Sequence, residues 1–139
     1  MFNSAVAPSM SQRQAGAYTQ MYAVTRVDCA TPHGLIDMLY DGLIGAMTEA
    51  RGAIRSRNIA AKTVAIKRAV RIVSEGLDSA LDLAQGGVLA AQLHGLYHYI
   101  ALRLTHANLH NDEAAVAECC RLIERLRTAW SQIGDRMPS

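Results

Sequence analysis

The chain has 139 residues, of which half are apolar and 19% are charged, and its net charge is +2. This length and composition suit one domain with a core of its own and exclude a wholly disordered chain. The near-balanced charge argues against nucleic acid as the main partner, because phosphate binding needs a basic stripe. With only three prolines and seven aromatic residues, the chain points to helices and away from a β-sandwich of short strands.

The N-terminal part of the chain precedes the first strong helical pattern. Residues 1–17 are small and polar, so we predict a flexible tail. They lack the basic start and apolar run of a signal peptide, and nowhere is an apolar run long enough to span a membrane. We therefore expect a cytoplasmic protein without membrane insertion. Residues 17–27 are predicted to form a short helix or extended segment, whose Tyr18 and Tyr22 are expected to lie against the rest of the domain.

Four long segments with helical periodicity follow. Thr31 is a hydroxyl N-cap followed by Pro32, and Gly86 and Gly87 end the second segment. We predict helices at about 32–55, 59–83, 88–109 and 112–133. Their similar lengths and short connections predict an all-α, antiparallel up-down-up-down four-helix bundle with a short extra N-terminal segment. The domain is expected to span residues 18–135, with a short tail at 136–139.

The apolar residues are distributed unequally among these helices. The second and fourth helices each have one apolar stripe opposite a charged face, and Val64 and Ile72 are the sizeable apolar residues outside it. The first and third helices have more apolar surface than one core can bury. Their surplus residues are Met38, Tyr40, Ile44, Tyr99, Leu102 and Leu109. This surplus is covered by residues 17–27, by a dimer mate, or by an amphipathic helix of another protein that docks in a groove.

Catalytic and metal-binding patterns are weak in this sequence. The third helix carries His94, His98, His106 and His110, two pairs at i, i+4 spacing that each supply half of a metal site. No glycine-rich phosphate loop or nucleophile with a recognisable histidine and carboxylate set is present, and the three cysteines lack CxxC spacing. We predict no metal, no cofactor and no enzymatic activity. A metal-binding bundle enzyme is kept as the weakest alternative.

Three groups of residues, in order along the chain, resemble one known family. They are Thr31-Pro32 with Leu35–Gly42 (LIDMLYDG), then Leu96–Tyr99 (LYHY) with Arg103-Leu104, Ala107–Leu109 and Asn111-Asp112, and finally Ala129-Trp130. This pattern, which covers roughly residues 18–134, resembles the FliS family of flagellar export chaperones. The spacing of Tyr18 and Tyr22 is four where three is common in the family. Leu102-Arg103 stands where the family often has two basic residues, and the four histidines are not part of the motif.

The resemblance implies a cytoplasmic chaperone of flagellin. Such a chaperone binds the C-terminal segment of newly made flagellin, prevents its premature polymerisation and assists delivery to the flagellar type III export gate. The resemblance also implies that the segment with Tyr18 and Tyr22 covers part of the groove until cargo displaces it. The candidate partner-binding residues are therefore Tyr18, Tyr22, Met38, Tyr40, Ile44, Val64, Ile72, Tyr99, Leu102 and Leu109. The alternative is a structural helical homo-oligomer without cargo, in which the surplus apolar surface forms a homodimer seam.

Overall fold

The computed structural model describes residues 31–136. These residues form four helices: α1 (Pro32–Arg55), α2 (Ile59–Arg71), α3 (Leu83–His110) and α4 (Glu113–Arg136). A π-helical segment, Ile72–Leu77, and a 3-10 turn, Asp78–Ala80, continue α2. Within the described range there is no β-strand. The predicted all-α four-helix bundle is confirmed.

The four helices pack in a square. α1 packs against α2 and α4, and α3 packs against the same two helices, so α1 and α3 lie diagonally opposite each other. Their fully buried side chains fill the space between, with Leu43 and Met47 from α1, Ile100 and Leu104 from α3, and Ile123 from α4. Because α3 is held on two sides by α2 and α4, the side that faces away from α1 is left outside the core.

The helix boundaries follow from side-chain caps. The Thr31 hydroxyl accepts a hydrogen bond from the backbone N–H of Gly34 at 3.0 Å, with Pro32 at the first helical position. Asn58, Asp82 and Asp112 accept the same bond at the starts of α2, α3 and α4. Each cap satisfies one N–H group that the first helical turn leaves without a partner. The predicted starts of α1, α2 and α4 therefore agree with the structure to within one residue.

The end of α2 differs from the predicted helix at 59–83. Beyond Arg71 the backbone takes the wider π-helical pattern and then a 3-10 turn. The Ser79 hydroxyl donates to the carbonyl of Glu75 at 2.5 Å, a local bond that competes with regular helical bonding. A helical wheel at 100° per residue does not hold through a π-helical turn. Ile72, which we predicted outside the apolar stripe, lies at the start of this turn and is buried in the core. With Ala65, Ala69 and Gly76 it follows the regular three-and-four spacing of the buried face, so it belongs to the core side of the helix.

Gly87 separates a first turn of α3 from its long regular part. The sequence predicts a helix start at Val88, whereas helical bonding begins at Leu83. Between them Gly87 has φ +57° and ψ −133°, a backbone conformation that essentially only glycine adopts. The predicted glycine break is thus present, with one additional helical turn before it.

The buried face of α1 is wider than a single apolar stripe. Tyr40 is buried because its hydroxyl reaches across the bundle to the hydroxyl of Tyr97, with 2.7 Å between the oxygens. Met38 and Gly42, one turn apart on α1, are also buried. The surface positions that the sequence predicts for Met38, Tyr40 and Ile72 are therefore corrected, since all three are buried in the structure.

Candidate partner-binding face

An exposed stripe runs along α3 on the side away from the core. It consists of Val88, Ala91, Gly95, His98, Leu102, Thr105 and Leu109, all of them exposed; we call it the α3 outer stripe. Its members follow one another at alternating spacings of three and four residues, the repeat with which helices pack side by side. Val88, Leu102 and Leu109 are 75%, 67% and 76% exposed. A monomeric helix rarely leaves such side chains in water at this spacing, so the stripe has the form of an interface.

The charge of α3 fits the same interpretation. Of its 28 residues, Arg103 is the single Asp, Glu, Lys or Arg in the sequence between Leu83 and His110. Arg103 is bound to Glu118 of α4, with Nε 3.0 Å from Oε1. An ordinary surface helix has a polar face opposite its apolar one. α3 has an outer face without charge, which lowers the cost of removing water when another helix docks there.

A groove lies beside the stripe, between α2 and α3. It has a volume of about 400 Å³ and is lined by Ile66, Lys67, Val70, Arg71, Thr105 and Asn108; we call it the α2–α3 groove. Thr105 belongs to both the stripe and the groove, so the two form one continuous surface. The Thr105 hydroxyl donates to the carbonyl of Ala101 within its own helix at 2.8 Å and needs no partner from an occupant.

Asn108 lines this groove with a half-buried polar side chain. Its side-chain oxygen Oδ1 is buried and has no hydrogen-bond partner among the described residues. A buried acceptor without a partner lowers stability, and because Oδ1 is shielded from solvent, an occupant of the groove does not reach it in this conformation. The rim on the α2 side carries Lys67 and Arg71, whose side chains frame the apolar floor with positive charge.

The other border of the stripe is fixed by a polar network with α4. The Tyr99 hydroxyl donates to Glu118 Oε2 at 2.6 Å, beside the contact of Arg103 with the same carboxylate. The hydrogen bond from Tyr99, followed by the bond from Arg103, lowers the pKa of Glu118, and the same bond raises the pKa of Tyr99. Glu118 therefore stays ionised and holds α3 against α4, which keeps the outer stripe in one orientation.

The residues predicted as partner contacts fall into separate places. Leu102 and Leu109 lie on the outer stripe, Tyr99 lies at its border, and Val64 is exposed on α2 one turn before Lys67. Ile44 is half-buried in a different cleft, between α1 and α4. Met38, Tyr40 and Ile72 are in the interior, as described above. Tyr18 and Tyr22 lie outside the described residues.

Several residues of this face were not among the predicted contacts. Ala91, Gly95 and Thr105 are too small or too polar to be noticed in a search for surplus apolar side chains, and Asn108 is polar. Ala91, Gly95 and Thr105 can be found from the spacing of the stripe, which alternates between three and four residues from Val88 to Leu109 and is visible in the sequence. The groove at Asn108 depends on how α2 and α3 pack and has no comparable signal.

The four histidines of α3 take part in local contacts. Nδ1 of His94 lies 2.7 Å from Oδ1 of Asp78, which ties the end of α2 to α3, and Nε2 of His106 lies 3.3 Å from Oδ2 of Asp112. The rings of His106 and His110 are 4.5 Å apart. Residues 31–136 hold no cluster of three or more His, Cys, Asp or Glu side chains with the geometry to bind a metal ion. Within the same range, no helix has the length and hydropathy needed to cross a membrane.

Comparison with known proteins gives consistent matches over most of the chain. The family model described as "Flagellar protein FliS" matches residues 14–137. The chain is 38% identical to the flagellar secretion chaperone FliS of Salmonella typhimurium, over 86% of this chain and 89% of that protein. It is 36% identical to the flagellar secretion chaperone FliSB of Pseudomonas aeruginosa, over 84% and 91%. It is 32% identical to the flagellar secretion chaperone FliS of Bacillus subtilis, over 80% and 81%.

Proposed function

The chain belongs to the FliS family of flagellar proteins, and from this premise we propose that it is a flagellar export chaperone for flagellin. It binds the C-terminal segment of flagellin on the α3 outer stripe and in the α2–α3 groove. Binding prevents premature polymerisation in the cytoplasm and assists delivery to the flagellar type III export gate. The observation that carries this proposal is the uncharged, exposed stripe from Val88 to Leu109, which is built for contact with another helix.

The geometry of the face supports a helical form for the proposed cargo segment. From Val88 to Leu109 the stripe is about 32 Å long at 1.5 Å per residue, enough for six turns of a second helix. Gly95 and Ala91 allow close approach of that helix, while Leu102 and Leu109 supply the large contacts. A cargo helix with apolar residues at spacings of three and four would pack against this stripe and place its flank in the α2–α3 groove.

Such a surface suits a cargo that is disordered when free. A segment that folds on binding loses conformational entropy, and burial of a long apolar stripe offsets that cost. The burial also removes from water the same apolar residues that a flagellin chain would otherwise present to other flagellin chains. A chaperone role thus follows from occupation of the surface and needs no chemical step.

The N-terminal segment enters the proposal as a competitor of the cargo. We propose that residues 17–27, through Tyr18 and Tyr22, cover part of the apolar face when no cargo is present. A segment of the same chain that binds the apolar face weakly shields it from water and from non-specific partners. Cargo then displaces it because the cargo helix covers more of the stripe.

Substitution of an exposed residue tests where the cargo binds. Leu102→Glu places a charge in the middle of the outer stripe. Because Leu102 is exposed, the free energy of unfolding should stay within about 0.5 kcal/mol of the unsubstituted chain. Binding of flagellin, measured by calorimetry, should weaken by at least about tenfold, because the glutamate would be buried without a partner.

The matched control for this test is Ile133→Glu. Ile133 is an exposed apolar residue on α4, and it lies outside the stripe and the groove. This variant should bind flagellin as the unsubstituted chain does. Equal weakening by Leu102→Glu and Ile133→Glu, or no weakening by Leu102→Glu, would contradict the assignment of the face.

A second candidate occupant is another copy of this chain. The small residues Ala91 and Gly95 in the N-terminal half of the stripe would let two α3 helices approach closely, and a two-fold axis there would bury part of both stripes. A homodimer of this kind predicts that Leu102→Glu converts a dimer into a monomer in sedimentation experiments. If the Leu102→Glu variant still sediments with the mass of two chains, the dimer contact lies elsewhere. If the unsubstituted chain sediments with the mass of one chain, this dimer does not form.

A further inference from the structure

A pocket lies at one end of the bundle, where the α1–α2 connection meets the α3–α4 turn. It has a volume of about 410 Å³ and is lined by Ala53, Ile54, Arg57, Ile59, Lys62 and Asn111; we call it the end pocket. Two of these side chains are cationic and three are apolar. The pocket therefore combines a hydrophobic wall with positive charge, which is the composition expected for an anionic group attached to an apolar chain.

Lys62 is the unusual member of this pocket. It is 5% exposed, and its ammonium donates to the carbonyl of Asn108 at 2.7 Å and to Oδ1 of Asn111 at 2.6 Å. Both acceptors are neutral, and no carboxylate within residues 31–136 forms an ion pair with Lys62. The C-terminal dipole of α3 offsets part of the charge. A buried ammonium without a counter-ion still favours binding of an anion.

The carboxylates near this end of the bundle are already occupied. Glu113 binds Arg51 and Arg55, with 3.3 Å and 2.5 Å between the nitrogens and Oε2. Asp112 caps α4 and contacts His106. Arg57 forms no ion pair among the described residues, and it lines the pocket with Lys62. These two cations are thus left to an incoming negative charge.

The end pocket adjoins the α2–α3 groove. Asn108 lines the groove, and its backbone carbonyl is the group that receives the Lys62 ammonium. On α2, Lys62 lies one helical turn before Ile66 of the groove. A chain that lies in the groove and runs toward the C-terminal end of α3 therefore arrives at the end pocket within about one further turn.

We propose that the end pocket binds the C-terminal carboxylate of the cargo chain. The inference rests on the proposed function, in which the C-terminal segment of flagellin occupies the groove. The carboxylate lies between the Arg57 guanidinium and the Lys62 ammonium, and the last side chain of the cargo packs against Ile54 and Ile59. This fixes the direction of the cargo helix as parallel to α3 and sets its register along the outer stripe.

A change of one functional group in the cargo tests this proposal. The probe is a synthetic peptide of the flagellin C-terminal segment, made once with a free carboxylate and once as the C-terminal amide. Calorimetry with the full chain should give an affinity for the amide that is lower by at least about tenfold, because the charge-assisted hydrogen bonds to Arg57 and Lys62 are lost. The same peptide extended by two glycines should show a similar loss.

An arginine variant links the effect to this pocket. Arg57→Gln should weaken binding of the free acid and leave binding of the amide nearly unchanged, so that the ratio between the two peptides falls toward one. Arg125→Gln, which removes an exposed cation of α4 outside the pocket, should leave the ratio as it is. Because Arg57 is exposed, its substitution does not disturb the core.

Three outcomes distinguish the end-pocket proposal from the proposed function. A difference between the two peptides that disappears in Arg57→Gln supports the end pocket. Equal affinities for the acid and the amide overturn the end pocket and leave the cargo groove standing. Failure of both peptides and of full-length flagellin to bind overturns the proposed function, and the end pocket with it.

Discussion

The buried tyrosine pair shows how a single hydrogen bond ties diagonal helices together. Tyr40→Phe or Tyr97→Phe alone leaves the other hydroxyl buried without a partner, and each should lower the free energy of unfolding by about 1–3 kcal/mol. The double variant Tyr40→Phe with Tyr97→Phe should lose less than the sum of the two, because no hydroxyl is then left unsatisfied. Urea denaturation of the four proteins measures this coupling. Strictly additive losses would show that the hydroxyls do not depend on each other.

Buried acidic groups make the fold sensitive to alkaline pH. Burial raises the pKa of the Cys119 thiol from its ordinary value of 9.0 to about 12, and burial also raises the pKa of Tyr40 and of Tyr97 above 10.0. The unfolded chain releases these protons at lower pH than the folded chain does, so ionisation favours unfolding. The stabilising contribution is complete below pH 9 and is lost as the pH rises toward 12.

Denaturation curves across this range check the sign of the effect. The free energy of unfolding should fall steadily from about pH 9 upward, and Cys119→Ala should reduce the slope because one titrating group is removed. A flat profile up to about pH 11 in the unsubstituted chain would contradict the burial of these groups.

At this scale the sequence identifies some residues and misplaces others. Leu102 and Leu109 are found because a regular helix projects them away from the core stripe, and the structure leaves them exposed. Tyr40 and Ile72 are misplaced for different reasons. Tyr40 depends on a partner 57 positions away in the sequence, which a helical wheel cannot show. Ile72 shares the three-and-four spacing of the buried Ala65, Ala69 and Gly76, so it was assigned to the wrong face of its helix.

At the scale of the element, α3 depends on a glycine break before its long regular part. Gly87→Ala should lower the free energy of unfolding by about 1–3 kcal/mol, because a side chain at φ +57° and ψ −133° is strained. Gly95→Ala is the matched control on the same helix. A Cβ at Gly95 would contact nothing within 4 Å, and the change should raise stability by about 0.5–1 kcal/mol. Equal effects of the two substitutions would mean that Gly87 is not strained.

The same helix separates what periodicity can predict from what it cannot. The surplus of apolar residues on α3 is a property of spacing and is visible in the sequence. Its N-cap Asp82 was not predicted, because the expected start of the helix was Val88. The π-helical end of α2 is a compromise between backbone bonding and the burial of Val73 and Leu77 against the rest of the core. The π-helical turn therefore depends on packing against the neighbouring helices, and the hydrophobic pattern of this one segment cannot predict it.

At the scale of the whole molecule, the bundle follows from helices of similar length joined by short connections, and this much was predictable. The end pocket was not, because it forms where two connections distant in sequence meet, with Arg57 from one and Asn111 from the other. The molecule thus has a rigid interior, an uncharged outer face on α3 and a cationic pocket at one end of that face. Together they define an elongated apolar surface with positive charge at one end.

The central claim is that this surface holds the C-terminal segment of flagellin. Calorimetric titration of the full chain with flagellin, and with flagellin that lacks its C-terminal segment, tests it most directly. We predict that intact flagellin binds as one chain per chaperone and that the truncated form shows no heat of binding. Equal affinity for the two forms would contradict the account.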